Sequence, residues 1–183
     1  MIWSATCVMA LVSLGAFTAA GAQADDHRRP SSVLISPSDR QAGLLVEYTW
    51  IRRIDSDLCN VGYAWGPTTF PRPLRYRLGR DTVFIRLRKD EMPVEHLLEA
   101  WSSIRRDGSP RGTSVPVPAT LSPHQRDGET VAWDLQFQPP ASSEDSFLML
   151  TVHWRDETNC APEPDLGSQH VSWTFHLKQR PSG

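Results

Sequence analysis

The chain has 183 residues, of which 22% are charged and 39% are hydrophobic, and its formal net charge at pH 7 is −2. Nearly balanced charge excludes the strongly basic field with which proteins collect on nucleic acids or on anionic membranes. We therefore expect no nucleic-acid partner. A chain of this length fits one domain of ordinary size behind an N-terminal leader.

The first 24 residues have the pattern of a secretory signal peptide. An apolar run from Cys7 to Phe17 is followed by small residues and by Ala22-Gln23-Ala24, an A-x-A cleavage pattern. The run is shorter than the roughly 20 residues that cross a bilayer, and no later segment is long enough to span one. The segment before the run has no Lys or Arg, which leaves a retained N-terminal anchor as the alternative. We predict cleavage before Asp25 and a secreted or periplasmic protein.

Residues 25–42 are polar and rich in Ser and Pro, and they contain one apolar group, Val33 to Ile35. We predict a flexible leader over this range, with the apolar group able to pair at a sheet edge. The C-terminal residues 179–183 have the composition of a frayed end. The predicted domain therefore covers residues 43–178.

Within that domain, apolar residues alternate with polar ones, which is the period of a β-strand with one buried face. The segments between them are rich in Gly, Pro, Asp and Ser, as in "RRDGSPRG" and "QPPASSED". Six strands with one apolar face each predict two antiparallel sheets packed face to face. The predicted inward faces are Leu44, Val46, Tyr48 and Trp50; Leu74, Tyr76 and Leu78; Val83, Ile85 and Leu87; Val131, Trp133, Leu135 and Phe137; Leu148, Leu150, Val152 and Trp154; and Val171, Trp173, Phe175 and Leu177.

Two segments depart from this pattern. Apolar residues recur at helical spacing in 93–106, behind Pro93 and before Gly108, which are helix start and stop signals. The alternative is a strand with Leu98 and Ala100 on one face, which we favour because the neighbouring segments are strands. Residues 113–121 contain Pro116 and Pro118, which remove backbone donors, so we predict an edge strand or an extended cover there.

The predicted protein is thus an all-β, antiparallel two-sheet sandwich, with a short helix near 93–106 as a local alternative. In architecture this resembles immunoglobulin-like and fibronectin-type-III-like sandwiches. The separation of Cys59 and Cys160 departs from the bridge of antibody domains, so the resemblance is to the layout.

Cys7 lies in the predicted signal peptide, which leaves Cys59 and Cys160 in the exported chain. Two cysteines in an exported protein predict one disulfide bond. A bridge that closes so long a loop is worth on the order of 4–5 kcal/mol in the chain-entropy model. It would bring two acidic segments together, which predicts a calcium site on loops rich in carboxylates. The candidate ligands are Asp55, Asp57, Asp156 and Glu157. Solvated acidic loops without a bound ion are the alternative.

Histidines mark a second candidate metal site. His153 and His170 both fall on outward faces, and antiparallel pairing of their strands would place them side by side. Two imidazoles with a third ligand suit copper or zinc. We find no carboxylate or cysteine on that face to complete the site. His176 is too far along the strand to share an ion with His170.

Tyr63 and Trp65, in "NVGYAWGPTTF", belong to no clear strand. They could form an aromatic contact surface on a loop, because rigid aromatic side chains bind at low entropic cost. Alternatively, the loop plugs one end of the core.

Known catalytic motifs are absent from the sequence: there is no G-x-S-x-G, no H-E-x-x-H and no Gly-rich phosphate loop. We predict an exported, non-catalytic module, without a cofactor, that binds a protein or another cell-envelope partner. One alternative is a metal- or carbohydrate-binding secreted protein that uses Tyr63, Trp65 and the 156–166 loop. Another is a hydrolase with an unrecognised site.

Overall fold

The computed structural model describes residues 30–55, 58–66, 68–140, 144–155 and 169–180, without the side chains of residues 51–61. These residues form twelve strands and no helix, arranged in two sheets that pack against each other. The two-sheet sandwich predicted from the sequence is therefore confirmed. Within the described ranges no helix is long and apolar enough to cross a membrane.

The smaller sheet has five strands, in the spatial order β2, β1, β6, β10, β9. All of its pairs are antiparallel. Its strands are β1 (Ser31–Ile35), β2 (Arg40–Ala42), β6 (Phe84–Arg88), β9 (Ala119–Arg126) and β10 (Glu129–Phe137).

The larger sheet has seven strands. Six of them follow the order β4, β3, β12, β11, β7, β8, and the seventh, β5, runs parallel to the end of β12. The strands are β3 (Leu44–Asp55), β4 (Leu58–Trp65), β5 (Leu74–Tyr76), β7 (Glu95–Trp101), β8 (Val115–Pro116), β11 (Asp145–Trp154) and β12 (Gln169–Gln179).

The core lies between the two sheets and is formed mostly by residues that were predicted to face inward, whereas Leu44, Leu78 and Val131 are exposed. The central strands β11 and β12 contribute most, because every second residue on each is fully or almost fully buried. Trp50 and Trp133 are half-buried and pack against the same core. Alternation thus identified the buried face of most strands correctly. The core residues of β11 and β12 are Leu148, Leu150, Val152, Trp154, Val171, Trp173, Phe175 and Leu177.

β-bulges shift this alternation at two places. On β3 the pairing with β12 slips between Ser172 and Trp173, so Leu45 lies opposite Trp173 and packs against the core. Leu44, predicted to be buried, is 41% exposed. A similar slip on β10 leaves Val131 exposed. One extra residue reverses the side-chain direction beyond it, and the sequence alternation carries no mark of where that happens.

The segment 93–106 is a strand where it pairs. Strand β7 lies beside β11, with Leu98 and Ala100 buried as the strand interpretation predicts, and the helical alternative is wrong. Cross-strand pairing with β11 overrides the local helical spacing. Strand β8 forms the edge beyond β7, which agrees with the edge position predicted from the prolines of residues 113–121.

The sandwich begins before residue 43. Strand β1 pairs with β2 on one side and with β6 on the other, and Leu34 is fully buried. Residues 31–42 therefore belong to the smaller sheet, where we predicted a flexible leader. The apolar Val33 to Ile35 forms part of an internal strand because Arg40–Ala42 covers its outer edge.

Gln41 joins the two sheets at one end of the sandwich. Its amide nitrogen donates to the backbone carbonyls of His176 and Arg72, and its amide oxygen accepts from the His176 backbone N–H, 2.9 Å away. On β12 this point lies between the section that pairs with β3 and the section that pairs with β5. The side chain thus provides the hydrogen bonds that a neighbouring strand would otherwise make.

Several predicted features lie outside the described residues. These are the signal peptide over 1–24, Cys160 and therefore the Cys59–Cys160 disulfide, and residues 181–183 of the predicted frayed end. Asp57, Asp156 and Glu157 of the predicted calcium site lie outside them too, and the side chain of Asp55 is not described. These predictions stay predictions. The prediction of a frayed end is wrong at residues 179 and 180, because Gln179 pairs with Tyr76 on β5 and the Arg180 backbone N–H donates to the Tyr76 carbonyl.

Candidate binding surface

Tyr63 and Trp65 lie at the end of strand β4, and both project from the outer face of the larger sheet. Tyr63 is 64% exposed and Trp65 is 76% exposed. Their rings stack on each other, with centroids 5.4 Å apart and planes inclined by 20°. The loop that we expected here is a strand, and the interpretation of these residues as a plug for the core is wrong.

The inner face of the same strands explains why this pair faces outward. Trp50 on β3 lies opposite Gly62 on β4, and its ring occupies the place where a Cβ at Gly62 would stand. Trp50 also stacks on the buried Tyr48, with ring centroids 4.9 Å apart. Because Gly62 lies on the inner face, beneath the indole ring of Trp50, the side chains of the next three residues of the strand point outward, inward and outward. Tyr63 and Trp65 take the outward positions.

Two rows of side chains cross the outer face from this aromatic pair. Residues directly opposite each other in antiparallel strands point to the same face. Neighbouring strands lie about 4.8 Å apart, so five strands extend about 19 Å from β4 to β7. The first row consists of Tyr63, Thr49, His170, His153 and Glu95, and the second of Trp65, Glu47, Ser172, Thr151 and Leu97. We call these ten residues the outer strip.

Side-chain contacts hold the polar groups of the outer strip in place. The Glu47 Oε1 atom lies 3.1 Å from the His170 Nε2 atom. The His170 ring stacks on His153, with centroids 5.4 Å apart. The hydroxyl oxygens of Thr151 and Ser172 are 2.9 Å apart. The strip is therefore a fixed polar face with an exposed aromatic pair at one end and Leu97, 47% exposed, at the other, while Ser172 in its middle is buried.

The sequence reasoning missed the carboxylates of this surface. The predicted neighbour relationship of His153 and His170 is confirmed, because the two residues are directly opposite each other in register. The expectation that no carboxylate shares their face is wrong, since Glu47 contacts His170 and Glu95 lies opposite His153. The alternation of β3 already placed Glu47 outward. That β3 lies beside β12 required the tertiary structure, because the two strands are far apart in the chain.

This cluster does not have the geometry of a metal site. Among the residues that the structure describes, no group of three or more His, Cys, Asp or Glu side chains could hold a metal ion. His176 also has a structural environment: its Nε2 atom lies 2.8 Å from Asp145 Oδ1, and its ring stacks on Phe147. The histidines of β12 thus act here as polar and stacking groups of a sheet face.

The chain that follows β4 limits the outer strip on one side. It crosses the same face of the sheet, where the Thr69 carbonyl accepts a hydrogen bond of 2.5 Å from the hydroxyl of Thr174. Phe70 packs edge-on against Phe147, with ring centroids 5.1 Å apart. Thr174 is fully buried beneath this crossing although it points away from the core. The open surface therefore lies on the other side of the crossing, at the outer strip.

Strand β4 is an edge strand. It pairs with β3 on one side, and no strand among the described residues pairs with its other side. Tyr63 and Trp65, at 64% and 76% exposure, are accessible on the outer face beside this edge.

Comparison of the chain with protein-family models, with curated proteins and with solved structures found no match. The function is therefore argued from this surface.

Proposed function

We propose that the protein is an exported, non-catalytic interaction module that binds a component of the cell envelope through the outer strip. The observation that carries the proposal is the stacked pair of Tyr63 and Trp65, which is 64% and 76% exposed although the same sheet buries Trp154 and Trp173 almost completely. Exposing two large aromatic rings side by side forgoes burial worth about 1.5–3 kcal/mol for each large apolar side chain. Such residues dominate the energy of binding surfaces.

Rigidity supports the same function. The two rings stack on each other, and Trp50 packed over Gly62 fixes the strand beneath them. A surface that is already ordered loses little conformational entropy when it binds.

Export through residues 1–24 and a Cys59–Cys160 disulfide are parts of this proposal. They are supported by the sequence pattern of the N-terminus and by the pair of cysteines that would remain after cleavage. The intact mass of the exported protein, before and after reduction and alkylation, checks both.

The test is cosedimentation of the purified protein with isolated cell envelopes of the source organism. Replacing both Tyr63 and Trp65 by alanine should weaken binding at least about tenfold, because each residue acts as an aromatic anchor. Val115→Ala is the matched control, since Val115 is 63% exposed on β8 at the opposite edge of the same sheet. Equal binding of the wild type, the double variant and the control would disprove the proposed function.

A further inference from the structure

We infer that the outer strip is a carbohydrate-binding site and that its ligand is an uncharged glycan chain. The inference rests on the proposed function, because it names the chemical class of the envelope component that the module binds.

The first argument is that two exposed aromatic rings lie beside a carboxylate. A sugar ring has an apolar C–H face and a rim of hydroxyl groups. Tyr63 and Trp65 stack on each other, which leaves the opposite face of each ring as an apolar surface for a sugar ring. Trp65 lies directly opposite Glu47 on the neighbouring strand. A carboxylate accepts hydrogen bonds from two hydroxyls at once, and hydrogen bonds to an ionised acceptor are the stronger kind. The Glu47 side chain is 45% exposed, so its oxygens are accessible from above the sheet.

The second argument is the shape and length of the surface. The outer strip crosses five strands, about 19 Å in all, and is lined by hydroxyl, imidazole and carboxylate groups. This length exceeds a single sugar ring, so a chain of linked sugars can lie across the strands. A protein-binding hot spot has its anchors near the centre of a desolvated apolar patch. Here the aromatic pair stands at one end of a polar surface.

The third argument is the sign of the charge. Glu47 and Glu95 place carboxylates in both rows of the strip. These groups repel phosphates, sulfates and sugar carboxylates, so nucleic acids and acidic polysaccharides are unfavourable ligands. An uncharged glycan chain meets no such repulsion.

Preorganisation is the fourth argument. Glu47 is held by His170, His170 stacks on His153, and Thr151 is hydrogen-bonded to Ser172. Binding a weakly interacting ligand costs much conformational entropy when flexible polar side chains must be ordered. Because these side chains are already held in place, that cost is reduced.

The decisive experiment treats the isolated envelopes before the protein is added. One sample is oxidised with periodate, which cleaves the vicinal diols of sugars, and is then washed; another is digested with a protease. We expect wild-type binding to fall at least tenfold after periodate and to survive the protease. Binding that survives periodate but is lost after proteolysis would overturn the carbohydrate inference and leave the proposed function standing. No difference between wild type and the double alanine variant on untreated envelopes would overturn the proposed function itself.

Variants of Glu47 separate a sugar from a cationic protein partner, because a carboxylate beside an aromatic ring could also receive Lys or Arg. Glu47→Gln keeps hydrogen-bonding atoms and removes the charge, whereas Glu47→Leu removes both. For a glycan we expect a loss of less than about fivefold with glutamine and more than about tenfold with leucine. Equal, large losses with both variants, together with a steep decrease of wild-type binding on adding salt, would show a cationic partner and overturn the inference.

Affinity electrophoresis provides a direct probe with known ligands. Wild-type protein should be retarded in native gels that contain an uncharged polysaccharide, and Trp65→Ala should not. Retardation by acidic polysaccharides alone would contradict the third argument and overturn the inference.

Discussion

Trp154 and Trp65 belong to the same sheet and stand at the ends of their strands, but their surroundings are opposite. Trp154 is fully buried, donates a hydrogen bond of 3.1 Å from its ring nitrogen to the Glu91 carbonyl, and has Lys89 Nζ 4.7 Å from its ring centroid. Trp65 is 76% exposed and stacks on Tyr63. The difference shows that the two faces of the larger sheet differ: its inner face buries aromatic rings in the core, and its outer strip exposes them to solvent.

The largest expected effect is a change in the free energy of unfolding when Trp154 and Trp65 are replaced by alanine in two separate variants. Trp154→Ala should lower the free energy of unfolding by about 3–5 kcal/mol, because it removes a fully buried indole ring and leaves a cavity. Trp65→Ala should lower it by less than about 1 kcal/mol, since the ring is mostly in solvent already. Urea denaturation measures both. Similar losses of stability for the two variants would break the comparison between the faces.

A smaller effect is expected at the end of the sandwich where the two sheets are joined. Gln41→Ala should cost about 2–4 kcal/mol, because the backbone N–H and carbonyl of His176 lose their partners in a buried place. Arg40→Ala is the control. Arg40 lies next to Gln41 on β2 but its side chain is exposed, so we expect a loss of less than about 0.5 kcal/mol.

The Gln41→Ala variant also tests whether binding at the outer strip is independent of the other end of the sandwich. Gln41 lies away from the outer strip, so the folded Gln41→Ala protein should bind envelopes with unchanged affinity at a temperature well below its melting point. A loss of affinity without loss of folded protein would show that the two ends of the sandwich are coupled.

The smallest expected effect concerns the polar atom on the inner face of β5. Tyr76 is 1% exposed, and among the described residues its hydroxyl has no hydrogen-bond partner. Removing an unpaired buried hydroxyl costs nothing in hydrogen bonding, so Tyr76→Phe should leave stability unchanged or raise it by up to about 1 kcal/mol.

The stability of the Tyr76→Phe variant should also depend less on alkaline pH than that of the wild type. Burial raises the pKa of Tyr76 above its ordinary value of 10.0, because the phenolate is less well solvated in the core. The unfolded chain therefore loses the proton at lower pH than the folded protein does, and stability decreases as the pH rises above 10. Unfolding free energies measured between pH 8 and 11 should fall less steeply for Tyr76→Phe than for the wild type. Parallel curves would show that the Tyr76 hydroxyl is solvated in the folded protein.

The local pattern of the sequence was sufficient for most of the fold. The alternation of Leu148, Leu150 and Val152 predicted a buried face on β11, and these residues are fully buried. It failed at Leu44, where a bulge in β3 reverses the direction of the side chains. It also failed at residues 31–42, because their assignment depended on the strands that pair with β1.

The candidate site was predicted in part. Tyr63 and Trp65 were identified from their residue types, and His153 and His170 from their position on neighbouring strands. Glu47 was missed, since nothing in the local pattern indicates that β3 pairs with β12. The loop expected around the aromatic pair is a strand because Gly62 admits the ring of Trp50 on its inner side.

Outside the bulges of β3 and β10, the sequence by itself determined which residues of each strand share a face, because the alternation of side chains is a property of the extended backbone and needs no partner. The tertiary structure alone decided which faces stand next to each other, since the order of strands in a sheet depends on pairing between segments that are distant in the chain. The inner face could therefore be predicted from the alternation of side chains. The outer strip, which brings Trp65, Glu47 and His170 together from three strands, depends on the order of the strands in the sheet.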